Sequence, residues 1–96
     1  MYSSSKAALI NLSTAMAYEW GGAGVRSNVI TPGLTRTKFA SAIWNDENMT
    51  NEAVGAQPMK RIAEPDEIAG MALFLASPAA SYCTGSVYPV DGGHNA

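Results

Sequence analysis

Residues 1–33 read MYSSSKAALINLSTAMAYEWGGAGVRSNVITPG, and this stretch decides the fold. Apolar side chains at spacings of three and four residues predict a helix from Tyr2 to Trp20 with one buried stripe. Gly21-Gly22 ends this helix. A short strand is predicted from Val25 to Ile30, with Thr31-Pro32-Gly33 as its exit turn. The predicted stripe of the helix consists of Leu9, Leu12, Met16 and Trp20.

A second long helix is predicted by residues 64–78, EPDEIAGMALFLASP. Pro65 suits the first helical position, and Asp66 and Glu67 bring negative charge to the positive end of the helix. Pro78 stops the helix just past its end. The apolar spacing predicts an inner stripe formed by Ile68, Met71, Ala72 and Leu75.

The last strand is predicted by residues 86–93, SVYPVDGG, where Pro89 suits an edge or a strand end because proline cannot donate to the ladder. Residues 37–59 mix apolar anchors with polar residues and predict short helices, with Asn45–Asn51 as a loop tip. The order helix, strand, helical segment, helix, strand predicts an α/β fold with a parallel, right-handed crossover. Two strands are too few to complete a doubly wound sheet, so residues 1–96 are expected to form a single partial domain.

Composition limits the possible partners. A chain of 96 residues holds one small domain at most. Its net charge is −2 and its six basic residues are scattered, so neither a nucleic acid nor an anionic membrane is an expected partner. No apolar run approaches membrane-spanning length and no basic-then-apolar signal opens the chain, so a cytoplasmic location is expected.

The chain has one cysteine, Cys83, and one histidine, His94. A single cysteine excludes an internal disulfide, and these two residues alone cannot complete a zinc site, so no metal is expected. Cys83 is expected to be a small buried or half-buried side chain rather than a reactive thiol.

Tyr2 and Lys6 lie four residues apart at the start of the first predicted helix, so both side chains face the same side. An ammonium about 4 Å from a phenolic oxygen favours the phenolate by roughly 4 kcal/mol at an effective dielectric near 20. The positive end of the helix acts in the same direction. The pair therefore suits acid–base chemistry, although the same spacing is common on a solvated helix face.

Several motifs, taken in order, resemble the C-terminal part of the short-chain dehydrogenases/reductases. The resemblance covers Tyr2 to Gly93, and its specificity comes from the order and spacing of the pieces. These are Tyr2 and Lys6, Asn28, Pro32-Gly33, Thr37, Arg61, Pro65, Glu67-Ile68-Ala69, Phe74-Leu75, Ser77, Thr84-Gly85 and Asp91-Gly92-Gly93.

The resemblance implies a C-terminal portion of a Rossmann-type sheet and an NAD(P)-dependent oxidoreductase that interconverts a carbonyl and an alcohol in a small-molecule substrate. It implies that Tyr2 donates or accepts the substrate proton. It also implies that Lys6 binds the nicotinamide ribose and lowers the tyrosine pKa. The implied cofactor-binding residues are Tyr2, Lys6, Pro32, Gly33, Leu34, Thr35 and Thr37.

The same resemblance implies that residues 37–59 are a substrate lid, where Phe39, Trp44 and Met49 could line an apolar pocket. Each of these side chains could equally be a packing residue of the lid. Pro32-Gly33 alone could be a plain strand-exit turn. Arg61, Glu67 and Asp91 are interpreted as structural.

The family's Gly-rich phosphate loop, catalytic serine and helix asparagine have no counterpart in this sequence; the glycines of Gly21–Gly24 follow a helix rather than a strand. The isolated chain is therefore expected to be inactive. The alternative hypothesis is a non-catalytic module that docks with a full-length homologue. The full-length form is expected to be a homo-oligomer, either a dimer or a tetramer.

Overall fold

The computed structural model describes residues 2–94, and their side chains from Ser4 onward. Six helices and strands follow one another with two short 3-10 turns between them. They are α1 (Tyr2–Trp20), β1 (Val29–Pro32), α2 (Ser41–Trp44), α3 (Glu47–Gly55), α4 (Pro65–Ala76) and β2 (Val87–Val90), with the 3-10 turns at Gly21–Ala23 and Pro78–Ala80. The predicted order of elements is confirmed.

The chain divides into two compact units, which are described separately. The first unit contains the chain up to Ile30 together with Phe74–Tyr88. The second contains Thr31–Leu73 and the chain from Pro89 onward.

Strands β1 and β2 form a two-stranded sheet. The backbone amide of Val29 donates to Ser86 O at 3.0 Å, and the amide of Gly33 donates to Val90 O at 2.9 Å. Both strands advance by four residues between these two bonds, so the pairing is parallel. The predicted α/β fold with a parallel strand pair is confirmed.

The first strand begins four residues later than the sequence predicts, at Val29 rather than Val25. Arg26, Ser27 and Asn28 lie outside the strand and are held mainly by side chains, together with one backbone bond from the amide of Gly85 to Ser27 O at 2.8 Å. Arg26 Nη1 donates to Leu75 O at 2.7 Å, and Asn28 Nδ2 donates to Cys83 O at 2.9 Å. The residues that the prediction counted as strand are therefore polar anchors of the first unit.

The buried face of α1 differs from the predicted stripe. Leu9, Leu12 and Trp20 are 52%, 56% and 44% exposed, whereas Ala17 is buried. Ala17 is small enough for Gly85 to approach, since a Cβ on Gly85 would lie 3.5 Å from Ala17 Cβ. Small and polar contacts, including Ser13 Oγ to Ser27 Oγ at 2.8 Å, therefore determine which face packs.

Two short helices occupy residues 37–59, as predicted, but the predicted loop tip at Asn45–Asn51 is wrong. Helix α3 begins inside that range, at Glu47. Asp46 caps it, because Asp46 Oδ1 accepts from the backbone amide of Met49 at 3.1 Å. The polar composition of this stretch reflects a helix cap rather than a turn.

Helix α4 confirms the predicted boundaries: Pro65 is its first residue and Pro78 lies just past its end. Ile68, Met71 and Leu75 are half-buried as predicted, while Ala72 is exposed. None of the helices in the described part of the chain combines the length and apolar character that a membrane crossing requires.

Candidate functional site

The first candidate residues lie at the start of α1. The helix begins at Tyr2 and contains Lys6, so the backbone places them about one turn apart. The side chain of Lys6 is exposed. The Tyr2 phenol lies outside the described side chains, so its pairing with the Lys6 ammonium stays a prediction.

The second group of candidates, Pro32–Thr37, forms one ordered ribbon in the second unit. Pro32 ends β1, and Thr35 Oγ1 donates to Gly33 O at 2.9 Å. Residue 63 holds the ribbon from the other side: its amide donates to Leu34 O at 3.0 Å, and its carbonyl accepts from the amide of Arg36 at 2.9 Å. Thr35 and Ala63 accordingly form a parallel bridge. The structure thus brings five of the predicted cofactor-binding residues together.

Two backbone amides of this ribbon, those of Leu34 and Thr35, make no hydrogen bond within the ribbon or to residue 63. A backbone N–H that lacks a protein acceptor needs water or a ligand to satisfy it. These two amides can therefore bind a carbonyl oxygen such as that of a carboxamide.

Gly33 has a packing reason to be glycine. A Cβ at this position would lie 2.9 Å from Asp91 Cα, a distance that real Cβ contacts do not reach. Because Gly33 has no side chain, the backbone of Asp91, which follows β2, can pack directly against it. Close approach of a ligand is not needed to explain this glycine.

The three predicted lid residues have different surroundings. Trp44 Nε1 donates to Thr37 O at 2.7 Å, and the Arg36 guanidinium lies 5.4 Å from the centre of the indole ring. Phe39 is fully exposed, and Met49 is 47% exposed. Trp44 therefore tethers α2 to the ribbon, whereas Phe39 and Met49 present apolar surface to solvent.

An open cavity of about 340 Å³ lies beside the ribbon, within the second unit. Its polar lining includes Gln57, Asp91 and His94. Among the described residues, Gln57 is the one polar side chain that is buried, at 5% exposure. Sequence reasoning missed Gln57, since its burial arises from a contact with a glycine 35 positions later in the chain. No local pattern marks it.

The first unit carries a separate groove along α1 and the adjoining extended chain. Leu9, Leu12 and Met16 line one side of it, and residues 27–30 line the other. Within residues 2–94, no three His, Cys, Asp or Glu side chains are grouped so that they could hold a metal ion.

The ion pair of Arg61 and Glu67 closes the segment before α4. Arg61 Nη2 lies 2.7 Å from Glu67 Oε2, and Glu67 Oε1 also accepts from the backbone amide of Glu64 at 2.9 Å. The hydrogen bond from Arg61 lowers the pKa of Glu67 to about 2. The structural roles predicted for Arg61 and Glu67 agree with this geometry.

Comparisons with known proteins cover nearly the whole chain. A family model described as enoyl-(acyl carrier protein) reductase matches residues 1–95. Galactitol 2-dehydrogenase (L-tagatose-forming) of Cereibacter sphaeroides is 45% identical over 97% of this chain and 37% of its own length. A tropinone reductase homolog of Arabidopsis thaliana is 39% identical over 97% of this chain and 35% of its own length.

Solved structures give the same result. A 4-hydroxyisoleucine dehydrogenase complexed with NADH superposes with a TM-score of 0.93 at 32% identity, over 97% of this chain and 38% of that one. An Agrobacterium tumefaciens protein with bound NADP superposes with a TM-score of 0.94 at 33% identity, over 98% of this chain and 38% of that one. The chain therefore spans less than two fifths of the length of each of these four relatives.

Proposed function

The chain belongs to the short-chain dehydrogenase/reductase family, and on that premise we propose that it is the catalytic segment of an NAD(P)-dependent oxidoreductase that interconverts a carbonyl and an alcohol. Tyr2 and Lys6 are its catalytic residues. The observation that carries the proposal is the match over residues 1–95, which includes both the Tyr-x-x-x-Lys pair in α1 and the Pro-Gly ribbon after β1.

In the proposed mechanism, Tyr2 moves a proton at its phenolic oxygen. It donates the proton to the substrate oxygen during carbonyl reduction and accepts it during alcohol oxidation. Lys6 stabilises the phenolate by its charge and binds the nicotinamide ribose. The positive end of α1 also favours the phenolate, because the helix dipole stabilises negative charge there. No acidic side chain in the first turn of α1 opposes this effect.

The ribbon fits a nicotinamide cofactor by the chemistry of its donors. The backbone amides of Leu34 and Thr35 suit the carboxamide oxygen, and the hydroxyls of Thr35 and Thr37 add further polar groups. When bound, NAD or NADP supplies or accepts the hydride. Pro32 and Gly33 bring the ribbon to the end of β1, where parallel α/β sheets bind their ligands.

Residues 37–59, which we call the lid segment, are proposed to cover the substrate. Phe39 and Met49 offer exposed apolar surface to a substrate, and Trp44 anchors the segment to the ribbon. The substrate is proposed to be a small carbonyl compound or alcohol. The full-length protein is proposed to be a cytoplasmic homo-oligomer.

Activity of a longer polypeptide tests the proposal. The reading frame is extended upstream of Met1, and the product is assayed for NADH and NADPH oxidation with a panel of ketones. We expect turnover that Tyr2→Phe lowers at least ~100-fold, since general acid catalysis contributes roughly 10²–10⁴-fold. The matched control is Tyr18→Phe, because Tyr18 lies on the same helix and is exposed. Full activity of the Tyr2→Phe variant would contradict the proposal.

A second candidate function is a non-catalytic module that docks with a full-length homologue. The exposed Leu9 and Leu12 along the groove of α1 favour it, because unpartnered apolar side chains at helical spacing suit a protein partner. An in-frame continuation upstream of Met1 favours the enzyme. A stop codon there with a ribosome-binding site favours the module, which then binds the homologue without catalysing turnover.

A further inference from the structure

Residues Asp91–His94 follow β2 and form a turn, which we call the tail turn. Gly92 and Gly93 have φ values of +63° and +88°, in the region that favours glycine. A Cβ on Gly92 would collide with Gln57 Oε1, and a Cβ on Gly93 would lie 2.8 Å from Pro58 Cγ. The tail turn therefore lies directly against the end of the lid segment.

A backbone hydrogen bond joins the same two elements. The amide of Met59 donates to Gly92 O at 3.1 Å. On its other side the tail turn touches the ribbon, because a Cβ on Gly33 would lie only 2.9 Å from Asp91 Cα. The tail turn thus connects the end of the lid segment to the start of the ribbon within the second unit.

Gln57 is the buried side chain at this junction. The backbone amide of Gln57 donates to Val54 O in the last turn of α3, so Gln57 lies directly after that helix. Lys60 Nζ donates to Gly55 O at 2.8 Å and to Gln57 O at 3.2 Å. These two bonds hold the C-terminal end of α3 in place. Burying an amide side chain is costly unless polar partners meet it, so an exposed position would be the default for a glutamine.

We propose that Gln57 is a positioning residue that fixes the end of α3 on the tail turn and thereby sets where the lid segment stands relative to the ribbon. The proposal rests on the proposed function for the identity of the lid and the ribbon. The contacts themselves, of Gln57 with Gly92 and of Asp91 with Gly33, do not depend on it.

Amide hydrogen exchange of the 96-residue chain tests the contact without any assay of activity. Gln57→Ala is expected to speed exchange in α2 and α3 roughly tenfold and to leave α1 and α4 unchanged, because it frees only one end of the lid segment. Gln57→Asn, which keeps the amide but shortens the side chain, is expected to give a smaller change in the same helices. The matched control is Asn51→Ala, which removes an exposed amide from α3.

A second pair of variants tests whether Gln57 acts through Gly92. Gly92→Ala places a Cβ against Gln57, so the effect of adding Gln57→Ala to it is expected to be smaller than the effect of Gln57→Ala alone. Unchanged exchange in α2 and α3 after Gln57→Ala would overturn the inference. Equal acceleration in all four helices would also overturn it, because Gln57 would then be a general stability residue.

The kinetic test uses the longer polypeptide, which is extended upstream of Met1. Gln57→Ala is expected to raise KM for the carbonyl substrate roughly tenfold while kcat and the cofactor Kd stay within about twofold, as loss of substrate positioning requires. If kcat fell equally for carbonyl reduction and for alcohol oxidation while KM stayed unchanged, a positioning role would be contradicted. The two tests separate the two proposals. If the longer polypeptide shows no turnover but the exchange results are as expected, the proposed function fails, whereas the contact between the lid segment and the tail turn is retained.

Discussion

Arg61 and Glu67 form a two-pronged ion pair, with Nη1 to Oε1 at 2.8 Å and Nη2 to Oε2 at 2.7 Å. Glu67 lies in the first turn of α4, and the same carboxylate accepts from the backbone amide of Glu64. One side chain therefore caps the helix and fixes the segment before it. Arginine suits this place because its planar fork matches a carboxylate, which a lysine ammonium cannot do.

The first prediction concerns the pH dependence of stability. The pKa of Glu67 is lowered from its ordinary value of 4.5 to about 2, chiefly by the hydrogen bond from Arg61. The ionised carboxylate is therefore favoured in the folded state. Its contribution to the free energy of unfolding is fully present above about pH 4.5 and is lost as the pH falls toward 2.

Urea unfolding at several pH values measures this contribution. The difference in unfolding free energy between the parent chain and Glu67→Gln should be constant above pH 5 and should shrink as the pH falls below roughly 4.5. Glu52→Gln, at an exposed position in α3, is the control. A difference that stays constant down to pH 3 would show that the carboxylate charge is not responsible.

The second prediction concerns Arg26, which donates through Nη1 to Leu75 O at 2.7 Å, in the last turn of α4. Arg26→Met should lower the free energy of unfolding by about 1.5–3 kcal/mol, because a hydrogen bond to a charged donor is lost in a half-buried place. Arg26→Lys should recover only part of this, since one ammonium does not reproduce the fork.

Arg36→Met is the control for Arg26. Arg36 forms an ion pair with Glu64 at 3.0 Å, but both side chains are largely exposed, so its loss should cost less than about 1 kcal/mol. Urea midpoints of the three variants decide the matter. Equal destabilisation by Arg26→Met and Arg36→Met would mean that the bond to Leu75 O is worth no more than a surface contact.

The third prediction concerns the cap of α3. Asp46→Ala should lower stability by about 1 kcal/mol and reduce helical signal, because the Met49 amide loses its acceptor. Asp46→Asn should behave like the parent chain, since asparagine caps equally well. Asn48→Ala, at an exposed position within the same helix, is the control, and circular dichroism with urea unfolding is the measurement. If Asp46→Ala and Asn48→Ala have the same stability and helical signal, the Asp46 cap does not contribute to stability.

The sequence predicts well wherever the signal is local. The proline at position 65 and the acids after it mark the start of α4, and Pro78 marks its end, because these residues act within one turn. Asp46 carries an equally local cap signal, which the polar neighbours obscured. The order of elements and the parallel pairing follow from these local patterns and from connection rules.

Two features of the structure depend on contacts that are distant in sequence, and local patterns cannot predict them. Ala17 packs against Gly85, so the buried face of α1 is set by where a later segment approaches and not by the apolar stripe alone. Gln57 is buried because Gly92 leaves room for it. The resemblance located the ribbon from Pro32 to Thr37, but the contact with Ala63 that orders it appears only in three dimensions.

The last prediction concerns the apolar groove of the first unit. Leu9 and Leu12 are each more than half exposed and lie on the same groove with Met16, so the isolated chain presents adjoining apolar side chains to water. Contiguous apolar surface favours association, whereas a single exposed side chain is common and carries no such tendency. We therefore expect the 96-residue chain to self-associate as its concentration rises. Leu12→Asn should shift that association to higher concentration, because it interrupts the patch at its centre.

Tyr18→Ser is the matched control, since Tyr18 lies on the same helix, is 94% exposed and does not line the groove. Sedimentation velocity at several concentrations separates the monomer from larger species in each variant. If Leu12→Asn and Tyr18→Ser associate alike, the groove is not the contact surface, and association must arise elsewhere, for example at an open edge of the β1–β2 pair. If only Leu12→Asn is monomeric, the groove is the surface that a partner or the remainder of a longer chain would cover, because apolar area released from water is what drives both kinds of contact.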